Sequence, residues 1–92
     1  MVSTNIEKAL NKQIRIEAES SQIYLSMACW AESKGFEGVA KFMFAQADEE
    51  REHMLRLLKY LIERGGKAII SELSKPSTDY NSPKQMFEEV FE

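Results

Sequence analysis

The chain has 92 residues, enough for one small domain and too few for two. Hydrophobic residues make up 43% of it and Leu, Ile, Val and Phe together number 22, which excludes a disordered segment. The net charge of -3 without a basic stripe argues against a nucleic-acid partner. The apolar runs fall far short of the roughly 20 residues that cross a bilayer, and Met1 to Leu10 has no basic stretch followed by an apolar block, so neither a membrane span nor an export signal is expected. The one cysteine, Cys29, can form neither an internal disulfide nor a thiolate metal cluster, which suits a cytoplasmic location.

Of the 15 acidic residues 13 are Glu, and the helix breakers are confined to Gly35, Gly38, Gly65, Gly66, Pro76 and Pro83. This pattern predicts an all-α chain. Thr4 and Glu7 have the spacing of a capping box, placing a first helix over 5–33. Its seam reads Leu10, Ile14, Glu17, Ser21, Tyr24, Ala28 and Ala31, at spacings of three and four. A second helix, 36–64, follows the turn at Lys34-Gly35 and ends at Gly65-Gly66; its seam is Phe36, Val39, Met43, Gln46, Glu50, His53, Leu57 and Tyr60. Residues 65–82 read as a connection, and Ser82-Pro83-Lys84-Gln85 as the capped start of a third helix over 83–92.

So short a turn makes the first two helices an antiparallel hairpin, each about 44 Å long. Phe42, Phe44, Leu55, Leu58 and Leu61 give the second helix more apolar surface than one partner covers. Further helices, and hence self-association or more chain, are expected. Cys29 and Trp30 read as packing residues, and Met27, Met43 and Met54 as core filling.

Both seams are interrupted by charge. Glu17 lies about as far before the turn as Glu50 and His53 lie after it, so all three reach one level about 26 Å from it. Glu50 and His53, three residues apart, share one helical face. Two carboxylates beside a histidine in a seam repel or protonate unless a cation sits between them. Glu-x-x-His alone is a weak signal: with 13 Glu in 92 residues, about one histidine in seven has such a neighbour by chance. A Glu on one helix opposite Glu-x-x-His on the next is half the ligand set of di-iron carboxylate bundles. Oxygen and imidazole donors suit iron, manganese or zinc.

Around these positions the sequence resembles the first two helices of bacterial non-heme ferritin. The stretches are Arg15-Ile16-Glu17-Ala18-Glu19-Ser20-Ser21-Gln22-Ile23-Tyr24-Leu25 and Ala47-Asp48-Glu49-Glu50-Arg51-Glu52-His53-Met54, with Glu63-Arg64-Gly65-Gly66-Lys67-Ala68 after them. The resemblance implies a ferritin-like hairpin, half of a four-helix bundle, in an iron-storage ferroxidase. It implies that Glu17 and His53 hold one iron, Glu50 bridges to a second, Tyr24 sits close by and Glu49 serves a third site. It also implies oxidation of Fe(II) by dioxygen or peroxide, with ferric mineral kept in a homo-oligomeric shell of about two dozen subunits. The bridging carboxylate is followed by Arg51 rather than methionine, so the heme of the related bacterioferritins is not expected.

Family members carry the remaining second-iron ligands on a third and fourth long helix. Two accounts follow: the chain is a truncated ferritin, or two hairpins pair head to tail into a symmetric di-iron bundle. Without metal, Glu50 and His53 would be a buried ion pair in a helical assembly module, Glu17 and Glu49 solvated carboxylates, and Tyr24 a core aromatic bonded to Glu50 or Glu17. A DNA-protecting miniferritin is disfavoured because Met1 to Lys12 has no basic arm.

Overall fold

The computed structural model describes residues 2–90, with the side chain of Val90 left aside. Three helices follow in order, α1 (Thr4–Ser33), α2 (Glu37–Glu63) and α3 (Pro83–Val90). The expected third helix is thus present as far as Val90, and its last two residues lie outside the described ones. Among the described residues there is no strand, and no helix is long and apolar enough to cross a membrane. The molecule measures 49 × 20 × 18 Å, the proportions of a long hairpin.

Both long helices end in the same way. Gly35 and Gly65 take φ of 83° and 80°, a left-handed region costly for residues with a Cβ. Phe36 N then donates to Ala31 O and Gly35 N to Glu32 O, closing α1; Gly66 N to Leu61 O and Gly65 N to Ile62 O close α2. This pairing satisfies carbonyls that the helix leaves open. The start of α1 differs from the capping box expected at Thr4. Ser3, with extended backbone, is the cap, and its hydroxyl accepts from Ile6 N at 3.2 Å. Moving the cap back one residue frees Glu7, whose carboxylate accepts from Lys67 N at 2.6 Å.

The α1 seam is as expected: Ile14, Ser21, Ala28 and Ala31 are buried, and Leu10, Glu17 and Tyr24 half-buried. On α2 the seam is rotated. Ala40, Met43, Ala47 and Leu61 are buried, whereas Phe36 and Tyr60 are 40% and 44% exposed. Alanines at the contact let the helices approach more closely than aromatic rings would. Phe36 instead stacks on Trp30, with ring centroids 5.8 Å apart, and Arg64 lies over the Tyr60 ring. Trp30 is a packing residue as expected, but Cys29 is exposed, because it projects one step round α1 from the seam.

Residues 64–82 form the strap that returns the chain to the turn end. Asn11 anchors its start, with Nδ2 donating to Lys67 O and Oδ1 accepting from Ile69 N, both at 2.9 Å. Near its end Ser26 Oγ donates to Ser77 O, and Tyr80 meets Trp30 edge-on at 5.6 Å. Asn11 to Trp30 is about 29 Å of helix. The eleven steps from Ile69 to Tyr80 reach at most about 36–40 Å, so the strap is largely extended. One long crossover of this kind is the connectivity of ferritin-like bundles. At its end Ser82 caps α3: Gln85 N donates to Ser82 Oγ, and Gln85 Oε1 accepts from Asn81 N. Met86 then enters a core of Met27, Ala28, Trp30, Ala31, Ala40, Met43 and Tyr80.

Candidate metal centre

The level of the polar residues is fixed by a hydrogen bond just above it. Ser21, one turn after Glu17, is buried and donates from Oγ to Ala47 O at 2.9 Å; Ala47 lies three residues before Glu50. A serine bonded to the opposite backbone permits close approach and sets the register of the two helices.

Below it, Glu17, Glu50 and His53 converge. One ligand atom from each lies within 4.8 Å of the others, and among the described residues this is the group of acidic and histidine side chains so arranged. His53 Nδ1 stands 3.7 Å from Glu17 Oε2, beyond hydrogen-bond range. The other Glu17 oxygen, Oε1, accepts from Gln13 Nε2 at 2.9 Å. The site is walled by the hairpin on one side and open on the other: the Glu17 side chain is 15% exposed and that of His53 41%.

A hydrogen bond donated to Glu17, burial and the Glu17 charge push Glu50 up to about 7, while accepting that bond, aided by Gln13 and His53, lowers Glu17. The two carboxyls therefore share a proton near neutral pH, because two adjacent charges would repel. A divalent cation can take the place of that proton. Two carboxylates and an imidazole are donors that fit iron, manganese or zinc.

Two further residues singled out from the sequence lie outside this group. Tyr24 is half-buried and packs against the apolar core; burial, then the charges of Glu50 and Glu49, raise its pKa. Tyr24 also lines a cleft of about 470 Å³ between α1, the strap and α3, which holds none of the three converging residues. Glu49 is exposed, and its charge reaches the site by raising Glu50 and Tyr24. Gln13 was not foreseen, although its place four residues before Glu17 puts it on the same helical face.

A long-helix hairpin with a crossover strap and facing Glu and Glu-x-x-His residues defines half of a ferritin-like bundle. The chain belongs to the ferritin-like domain family, whose model matches residues 7–92. It is 44% identical over 92 residues to a probable bacterial non-heme ferritin-like protein of Haemophilus influenzae, and 39% identical to a bacterial non-heme ferritin of Bacteroides fragilis. All of this chain is covered in both, against 56% and 58% of the relatives, so it spans little more than half their length. Among solved structures, a humanized archaeal ferritin superimposes with a TM-score of 0.93 at 36% identity. An open-pore ferritin of Archaeoglobus fulgidus does so with 0.91 at 34%. Each covers 98% of this chain and about half of its own, at 55% and 56%.

Proposed function

We propose that this chain supplies half of the di-iron ferroxidase centre of an iron-storage ferritin. In this reading Glu17 and His53 ligate the first iron, Glu50 bridges toward the second, and Tyr24 and Glu49 flank the pair. The observation that carries it is the convergence of Glu17, Glu50 and His53 within 4.8 Å in a family whose relatives are ferritins. The remaining ligands come from helices outside the hairpin.

Iron is here substrate and cargo. Two Fe(II) ions held side by side each give one electron to dioxygen, which is reduced to the peroxide level without releasing a one-electron product. The chain's part is electrostatic: Glu50 gives up its proton when a cation arrives, and carboxylate oxygens suit the harder Fe(III) better than thiolates would. The subunits would then assemble into a homo-oligomeric shell that holds the mineral in the cytoplasm.

Completion by further helices is favoured over a symmetric pair of hairpins. Helix α3 already covers the turn end of the open face, with Phe87 and Phe42 ring centroids 6.2 Å apart. A second hairpin docking there head to tail would have to displace it.

Stopped-flow oxidation of Fe(II) by the assembled protein tests the reading. Glu50→Ala is expected to abolish the fast phase, and His53→Ala to weaken the first iron in a metal titration while leaving the metal-free chain folded. An unchanged fast phase in Glu50→Ala contradicts the assignment.

A further inference from the structure

We propose that Gln13 is a positioning residue for this centre, its amide fixing which oxygen of Glu17 is presented to the cation. The inference rests on the metal-site reading above and adds a residue to it. Glu17 stands alone on α1, whereas Glu50 and His53 are neighbours on α2. A glutamate side chain has several rotamers and two equivalent oxygens, and each freedom lost on binding metal weakens the complex. Gln13, one turn earlier on the same face, removes both freedoms beforehand.

Its Nε2 donates to Glu17 Oε1 at 2.9 Å, a full-strength length made stronger by the carboxylate charge. Only the NH₂ end of the amide can donate to a carboxylate, so the orientation of Gln13 follows from the contact. The other oxygen, Oε2, is the one that faces His53 Nδ1. The amide is also neutral. A lysine or arginine at position 13 would hold Oε1 as well but would neutralise Glu17 and repel the cation, while a glutamate would repel Glu17. Outer partners that orient a ligating carboxylate commonly contribute about 10- to 100-fold to metal affinity.

The test is a Co(II) titration of the full chain, followed by visible absorption, for the parent, Glu17→Ala, Gln13→Met and Gln13→Ala. Methionine matches glutamine in length and helix propensity without a donor, and alanine is the best helix former. Position 13 is exposed, so the metal-free melting temperature of both Gln13 variants is expected to stay with the parent. Their Co(II) affinity is expected to fall about 10- to 100-fold. The Co(II) absorption bands should also change shape, because Glu17 is then free to bind through both oxygens. A merely structural Gln13 would move the melt and not the spectrum. Parent-like affinity and bands in both variants, with Glu17→Ala losing binding, overturn this inference and leave the metal site standing. If the parent takes up no Co(II), both fall.

Discussion

The turn end of the hairpin and its middle are built from opposite materials. At the turn end α1, α2, the strap and α3 enclose Met27, Ala28, Trp30, Ala31, Ala40, Met43, Tyr80 and Met86, and among the described residues no charged side chain is buried there. Two turns lower the same helices face each other through Glu17, Glu50 and His53, and one side is open. Burial holds the first region together on its own. The second is held by its neighbours, since its carboxyls gain little from each other without a proton or cation. A rigid apolar end and the Ser21 bond therefore keep in place a group of side chains that would otherwise separate.

The largest effect that would break this contrast is at the turn end. Trp30→Ala removes a ring packed on Phe36 and Tyr80 and should cost about 3–5 kcal/mol, most of the stability of a chain this small. Thermal melts should show the loss equally with and without metal. Ser21→Ala is next: it removes a second donor from Ala47 O, which keeps its helical partner, and should cost about 0.5–1.5 kcal/mol. Because the bond sets the register beside the site, this variant should also weaken Co(II) binding. Retained binding with lowered stability would limit Ser21 to the core.

The smallest effect sharpens the comparison through pH. The Glu50 carboxyl is raised from 4.5 to about 7, so the folded metal-free chain holds this proton more tightly than the unfolded one. Its contribution to stability is full below pH 4.5 and is lost as pH rises through about 7. Glu17, lowered, has the opposite sign: its contribution is present above 4.5 and is lost as pH falls below it. Metal-free melts should therefore drop as pH rises from about 4.5 to about 7 and level off above it, and Glu50→Gln should flatten that dependence. Metal binding displaces the same proton, so apparent affinity should rise over the same interval. A dependence unchanged in Glu50→Gln would place the titrating group elsewhere.

Much of this was legible in the sequence, for particular reasons. Gly35, the Gly65-Gly66 pair and the Ser82-Pro83 cap are local signals, and they located the ends of α1, α2 and the start of α3 within one residue. The convergence of Glu17 with Glu50 and His53 followed from counting residues from a short turn, which needs only the rise of a helix. What escaped depended on contacts between distant segments. Glu7 fits a capping box at Thr4 but is drawn away to Lys67, 60 residues on. Phe36 and Tyr60 fit the α2 seam by spacing, yet close approach selects Ala40 and Ala47, and spacing carries no information about size. Cys29 is of a type common in cores, but it lies one step round α1 from the buried Ala28 and is exposed.

The central claim is that Glu17, Glu50 and His53 share one cation. Anomalous diffraction at the zinc edge, from crystals of the chain soaked with Zn(II) as a redox-inert stand-in for Fe(II), tests it directly. The expected result is a peak about 2.0–2.2 Å from a carboxylate oxygen of Glu17, one of Glu50 and an imidazole nitrogen of His53. Zinc bound only at surface carboxylates, with these three side chains arranged as in its absence, would contradict it.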